Sequence, residues 1–340
     1  MYRISVIQGD GIGPVVVSQS VRILTRVLEG LGVAFELVEA PAGDKVAAES
    51  GEPLPKDSIQ RIASSDACLK GPVGETAKDV IVYLRQRLDL YANIRPFKTY
   101  AGVKTYWRGV DFVIVRENTE DLYRGVEDIG RDHAVSLLVI TRRGTERIAR
   151  VALETAMGRR RKVTVVHKGN VLASYRYFRD VATEVLNGSG VEVDEMYVDN
   201  AAYQMVVNPS AFDVILTPNM FGDILSDLAA GVTGSIGIAG SANIGDRHGI
   251  FEPVHGSAPG LAPSLANPIA TILSASYLLS WLGGKRRDDK LLSAGRAIES
   301  AVSELLDKGS VLTPDLGGSA TGQMVADEIL RIALAKLGLS

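Results

Sequence analysis

Cysteine is almost missing from this sequence: Cys68 is the only one in 340 residues. An intrachain disulfide is therefore excluded, and so is a zinc site built on paired thiolates. Charge of one sign is missing as well, since 37 Lys and Arg against 40 Asp and Glu leave a formal charge of −3. That balance offers no general field for nucleic acid, and the short run Arg159-Arg160-Arg161-Lys162 is expected to be a solvated helix end before a strand. Uninterrupted apolar runs of membrane-spanning length are lacking too. The stretch 266–282 is broken by Asn267, Pro268 and several Ser and Thr, so it reads as a buried helix. Met1 to Ile7 shows no signal-peptide pattern, which with the lone cysteine leads to the expectation of a soluble, cytoplasmic protein. Repeats, low-complexity tracts, long Pro/Ser linkers, G-x-S-x-G and Walker-lysine motifs are also absent.

What is present is ample material for packing: 46% of residues are hydrophobic and 23% charged. The length exceeds one typical core and fits two lobes or one large unit. Short β-branched runs at 4–7, 35–38, 112–115, 163–166, 192–198 and 214–217 alternate with amphipathic segments, the pattern of α/β layers around a largely parallel sheet. With no tether between them, the lobes are expected to be joined by crossing strands. The strand-like stretch His133 to Thr141 has no helix to bring it home, and is either an edge strand or an arm that pairs with a second subunit.

Several polar positions stand out against this apolar background. Asp223 and Asp227 lie four residues apart at the start of a helical pattern, so both carboxylates share one face and suit a hard cation or a cationic partner. Ile81, Val82 and Arg85 also share a face, placing an apolar patch beside a guanidinium, although an amphipathic helix with a snorkelling arginine has the same pattern. Arg95 sits in an extended Ile-Arg-Pro setting. Arg116 closes an apolar strand and is either a third carboxylate anchor or the internal partner of Glu117 or Glu120; Tyr123 follows as a candidate proton donor. Lys168 ends another strand, and near arginines and a metal its proton affinity would fall toward that of a general base. Asp199 reads as a helix N-cap or as a third metal carboxylate. Gly9-Asp10-Gly11-Ile12-Gly13-Pro14 follows a strand and opens a helix, yet it lacks the dinucleotide G-x-G-x-x-G spacing; it is a turn lining a cleft or a structural turn.

Together these segments resemble the β-decarboxylating dehydrogenases, the isocitrate/isopropylmalate dehydrogenase family. The segments 9–14, 84–96, 116–120, 167–170, 222–227 and 252–259 occur in the family's order and cover nearly the whole chain. The resemblance implies an α/β, two-lobed fold distinct from the Rossmann type, with a mixed sheet flanked by helices and a dimer-forming second lobe. The first, cofactor-side lobe would take residues 1–95 and 236–340, and the second, with the dimer interface and arm, 96–235. It further implies a homodimer, or a tetramer, with shared active sites, and neither nucleic-acid nor membrane partners.

By the same resemblance Arg85, Arg95 and Arg116 hold the carboxylates of a malate, while Asp223, Asp227 and the partner's Asp199 bind Mg²⁺ or Mn²⁺. Lys168 from the partner takes the hydroxyl proton and Tyr123 protonates the enolate after decarboxylation. Ile81 and Val82, with Asn170 and Val171 added from the other subunit, complete the substrate surface and favour an isopropyl group over a third carboxylate, which would be desolvated without a partner. The expected reaction is oxidative decarboxylation of (2R,3S)-3-isopropylmalate, with homoisocitrate or isocitrate as the alternative because Lys78 stands where many isopropylmalate enzymes have glutamate. A non-catalytic regulatory subunit is the reading from another class, opposed by the full set of ionisable site residues. For the cofactor, Gly71, Val73, Glu252, His255, Gly256, Ser257, Ala258, Asn267 and Asp315 are implied. NAD is expected over NADP from the segment 313–318, although Gly260-Leu261 carries neither the usual aspartate nor a Lys-Tyr pair.

Overall fold

The β-branched runs become strands of a single ten-stranded sheet in the computed structural model, which describes residues 1–339. In chain order the strands are β1 (Tyr2–Ile7), β2 (Phe35–Glu39), β3 (Ala67–Lys70), β4 (Ala92–Lys98), β5 (Asp111–Glu117), β6 (Glu127–Ile129), β7 (Ala134–Ser136), β8 (Lys162–His167), β9 (Glu192–Tyr197), β10 (Val214–Thr217), β11 (Gly240–Ile244) and β12 (Gly249–Pro253). The α-helices are α1 (Gly13–Gly30), α2 (Asp44–Ser50), α3 (Lys56–Ala63), α4 (Tyr83–Arg87), α5 (Arg142–Met157), α6 (Ala173–Leu186), α7 (Val198–Val207), α8 (Asn219–Thr233), α9 (Ile269–Arg286), α10 (Asp289–Lys308) and α11 (Gly322–Lys336).

The sheet runs β2-β1-β3-β12-β11-β4-β5-β10-β8-β9. Its two wings are parallel, and the middle, where β11 pairs with β12 and β4 and β4 pairs with β5, is antiparallel. The chain passes between wings on β4 and β11, so the join is hydrogen-bonded sheet and not a tether. Strand β5 shows why the wings lack polar alternation. Val113 and Val115 pack with α5 and α6 on one face, while Phe112 and Ile114 pack with α7 and α8 on the other, so both faces are dry. The opposite wing buries Ile4, Leu69 and Phe251 under α1, α9, α10 and α11. Helix α9 is the buried helix expected around 266–282, and no described helix is long and apolar enough to cross a membrane.

Three local expectations change. The stretch 133–141 is not an edge of the main sheet: Ala134–Ser136 pairs with Glu127–Ile129 in a separate, fully exposed hairpin. Arg159 is not a solvated helix end, because its Nε and Nη2 clamp Asp213 and Asp111 at 2.9 and 2.7 Å and fasten α5 to the edge of β5. The segment before Arg85 is a π-helical turn over Lys78–Val82 that runs into α4. Its wider winding drops Val80, Ile81 and Leu84 together into a small core with Ile7, Cys68 and Ile250, which anchors this segment on the first wing.

Candidate active site

Where the two wings meet, the end of β3, the end of β12, the 78–87 helix, the turn after β5 and α8 enclose a cavity of about 450 Å³. Its cationic side is built from α4, which carries Arg85, and from β4 and β5, which carry Arg95 and Arg116 among apolar neighbours, so each guanidinium is buried and held by a specific acid or amide. Arg85 Nη2 donates to Glu252 Oε1 at 3.0 Å. Arg95 Nε donates to Asn93 Oδ1 at 2.5 Å, and its Nη1 lies 3.6 Å from Asp223 Oδ1. Arg116 Nη1 donates to that same oxygen at 2.6 Å and Nε to Asn219 Oδ1 at 2.9 Å. Arg116 is therefore not the partner of Glu117 or Glu120. Glu117 accepts instead from the Thr119 amide, the Thr119 hydroxyl and the Glu120 amide, and burial pushes its carboxyl up to about 7.

Burial, followed by repulsion from Arg95, presses the proton affinity of Arg116 down, with Asp223 opposing. Arg116 Nη2 and Arg85 Nε are buried without a partner. Crowded guanidinium groups with idle donors are a binding site for an anion with more than one carboxylate. The approach of α8 to Arg116 depends on Gly222, where a Cβ would stand 2.5 Å from Arg116 Cγ.

Beneath the arginines lies a residue that the sequence reading missed. Lys70, 2% exposed, donates to Glu252 Oε2 at 2.6 Å and to the Gly71 carbonyl at 3.0 Å. Asn243 donates to Glu252 Oε1 at 2.8 Å, and its own Oδ1 accepts from Asn93 and Asn118. A continuous chain of polar contacts thus runs from Lys70 on the first wing through Glu252, Asn243 and Asn93 to Arg95 in the antiparallel middle of the sheet. Glu252, expected as a cofactor ligand, lines the cavity but has its carboxylate committed to this chain. The available sequence signal was a lysine closing the otherwise apolar run Ala67 to Leu69.

The two aspartates face different surroundings on α8. Burial works against ionisation of Asp223, yet Arg116 and Arg95 hold its carboxyl below the usual range, and its Oδ2 accepts from Tyr123 Oη at 2.9 Å. Asp227, one turn on, is exposed, is not part of the cavity wall, and has no ion-pair partner among the described residues. Protein packed around its carboxyl raises its proton affinity; Arg95 lowers it and Asp223 raises it. Such a carboxylate is stabilised by a divalent cation, and oxygen donors of this kind fit Mg²⁺ or Mn²⁺. One chain alone brings no cluster of three His, Cys, Asp or Glu together among the described residues.

Tyr123 sits on a short 3₁₀ turn, 122–124, after β5. Asp121, before it, adopts φ +65°, a strained value for a non-glycine residue. Its buried carboxylate accepts from Tyr175 Oη at 2.9 Å and from the Met220 amide at 2.8 Å, tying the turn to α6 and α8. Burial and then the charge of Asp223 raise the Tyr123 phenol, so it carries its proton at neutral pH.

On the cofactor side the Gly9–Gly13 turn is a junction. Asp10 accepts from the amides of Asp44, Lys45 and Gly74, while the Asp10 amide donates to Pro72 and the Ile12 amide to Ser257. Gly9 and Gly11 have φ of +74° and +56°, and a Cβ on either would lie 2.0 Å from the Pro72 or Ser257 carbonyl oxygen. The turn thus supports the loops at 71–74 and 256–258. Val73, His255 and Gly256 line the cavity, and His255 Nε2 is buried without a partner, an idle polar atom of the kind a nucleotide cofactor engages. Gly71, Ser257, Ala258, Asn267 and Asp315 are not part of the cavity wall, and Asn267 donates directly to Asp315 at 3.0 Å.

Lys168, Asn170, Val171 and Asp199 are not brought to the cavity by their own chain. Asp199 is not an N-cap; that position is Tyr197, and Asp199 pairs with Lys168 at 2.6 Å in the first turn of α7. Asn170, Val171 and Asp199 are exposed on the second wing.

Residues 3–329 match the family model described as isocitrate/isopropylmalate dehydrogenase. The 3-isopropylmalate dehydrogenase of Sulfurisphaera tokodaii is 49% identical over 96% of this chain and 98% of that protein. That of Saccharolobus solfataricus is 46% identical over 97% and 99%. A crystal structure of isocitrate dehydrogenase from Methylococcus capsulatus superposes with a TM-score of 0.90 at 39% identity, covering 98% of this chain and 99% of that one. With the arginine cluster, the aspartate pair and the mixed sheet in place, this chain belongs to the isocitrate/isopropylmalate dehydrogenase family of β-decarboxylating dehydrogenases.

Proposed function

We propose that the substrate is (2R,3S)-3-isopropylmalate and that the chain converts it with NAD to 2-oxoisocaproate, CO₂ and NADH, a step of leucine biosynthesis in the cytoplasm. The observation that carries this reading is the composition of the cavity wall. Val73, Ala77, Ile81, Val82 and Leu122 line the same space as Arg85 and Arg95. An isopropyl group gains by meeting the apolar part, and two malate carboxylates meet the guanidinium groups with idle donors.

When bound, a dinucleotide would supply the hydride acceptor and a divalent cation the Lewis acidity for the oxidised oxygen. Arg85, Arg95 and Arg116 orient the carboxylates. Asp223 and Asp227, with Asp199 from a second copy of this chain, would hold Mg²⁺ or Mn²⁺. Lys168 of that second copy takes the hydroxyl proton, with Asn170 and Val171 extending the substrate surface. Tyr123 returns a proton to carbon once CO₂ has left, the state of its phenol being suited to a general acid. For NAD, Val73, His255 and Gly256 face the cavity, and Gly71, Ser257 and Ala258 support them from behind.

A dimer is supported by a second groove of about 890 Å³ on the other side of α8, lined by Tyr106, Trp107, Val206, Leu228 and Asp227. Tyr203, Val206 and Ile224 nearby are 61, 50 and 61% exposed. Apolar surface of that kind is characteristic of an interface, and Asp227 opens toward it, where a second chain's Asp199 would complete the carboxylate set. The lobes are taken to divide as 1–95 with 236–340, and 96–235, with the main cores lying on the two wings and Tyr100, Val103, Ala92 and Ala239 packing across that division. Steady-state kcat/KM for 3-isopropylmalate, homoisocitrate and isocitrate, each with NAD and NADP and with Mg²⁺ or Mn²⁺, tests the reading. 3-Isopropylmalate with NAD is expected to lead, and preference for a tricarboxylate sinks it.

A further inference from the structure

Lys78 precedes Ile81 and Val82 by one turn, and a free ammonium there would serve a distal substrate carboxylate. In the fold that ammonium is already engaged. Its Nζ lies 2.8 Å from Glu127 Oε2, and the other carboxylate oxygen of Glu127 accepts from Ser136 Oγ at 3.3 Å across the β6–β7 hairpin. The lysine stem passes over Gly125, where a Cβ would stand 3.9 Å from Lys78 Cε. Lys78 and Glu127 both line the cavity beside Ala77, Ile81 and Val82. Of the other cationic side chains in that wall, Lys70 and Arg85 face Glu252, and Arg95 reaches Asp223.

We propose that Glu127 is a specificity-determining residue: it occupies the Lys78 ammonium and adds its own negative charge at the cavity mouth, withholding the cation that a third substrate carboxylate needs. This rests on the isopropylmalate reading. A tricarboxylate has to displace Glu127 from Lys78 or sit beside its charge, whereas an isopropyl group does neither. The side-chain hydrogen bond and then the charge of Glu127 raise Lys78, and the same two effects of Lys78 lower Glu127, so both stay ionised through the neutral range. Because the pair is solvated, its influence falls with ionic strength and is felt in substrate choice more than in folding.

The test is the ratio of kcat/KM for homoisocitrate or isocitrate to that for 3-isopropylmalate, in wild type, E127Q, K78M/E127Q and K78E, with thermal unfolding to confirm that each is folded. E127Q is expected to raise the ratio roughly five- to tenfold, since it frees Lys78 and removes a repelling charge. K78M/E127Q is expected to return it to within about twofold of wild type, and K78E, with two acids at the mouth, to lower it. An unchanged ratio in E127Q, or a gain that survives in K78M/E127Q, overturns the proposal. Should E127Q not fold, K78E decides alone, an unchanged ratio counting against the role of the pair. The wild-type panel judges the substrate reading separately: a wild-type preference for a tricarboxylate defeats that reading, while the change between variants still reports on Glu127.

Discussion

Glu252→Gln removes the one negative charge that two buried cations share. Lys70 and Arg85 approach its carboxylate at 2.6 and 3.0 Å, and all three are at most 6% exposed. Burial works against the charged carboxyl, but Lys70 and then Arg85 lower it from 4.5 to about 2. At ~1.36 kcal/mol per tenfold change in proton affinity, that interval corresponds to about 3 kcal/mol of stability. The figure agrees with the ~3–5 kcal/mol that breaking a buried pair costs when the opposite charge is left behind. A carboxyl depressed in the folded state contributes fully above its unfolded value, so this stability is present above pH 4.5 and is lost as pH falls through about 2. Urea unfolding of E252Q at pH 7 is therefore expected to show a loss of about 3 kcal/mol that begins to narrow below pH 4.5. K70M/E252Q removes one of the stranded cations and should recover part of the loss. A pH 7 stability within about 1 kcal/mol of wild type, or a double variant no better than the single one, would refute the view that this carboxylate organises the buried cations.

Two further outcomes follow from the site. Tyr123→Phe keeps the ring over Arg116 but removes the proton, so kcat is expected to fall by roughly 10²–10⁴ with little change in thermal midpoint; turnover near that of wild type would remove Tyr123 from the chemistry. Gly222→Ala places a methyl group 2.5 Å from Arg116 Cγ, and the displacement, worth about 1–3 kcal/mol, should appear as a roughly ten- to hundredfold lower kcat/KM, with an unaffected enzyme showing that Arg116 does not need that approach.

The sequence was most informative where structure is local. Strands β1, β2, β5, β8, β9 and β10 lie within two residues of the β-branched runs; in the interior strands β5, β8 and β10 the runs are uninterrupted because both faces are apolar, while the edge strands β2 and β9 carry charged, exposed positions among their apolar ones. The aspartate pair on α8 was legible for a similar reason, since four-residue spacing on a helix fixes relative direction. The segment before Arg85 was harder: a π-turn and an α-turn share the same apolar residues, and packing against Ile7 and Ile250 decided between them. Likewise, nothing near Arg159 in the chain announces that Asp111 and Asp213 will receive it.

By itself the sequence determined the chemical inventory: arginines among apolar strands, paired carboxylates, a tyrosine after a strand, and too little cysteine for any thiolate site. Tertiary structure alone decided how that inventory was connected. Lys70 meets Glu252 across 182 positions of chain, Arg116 meets Asp223 across 107, and Lys78 is neutralised by Glu127 across 49. Those pairings depend on which strands become neighbours, and strand order is set by the burial of whole layers, a non-local balance that no short window of sequence contains.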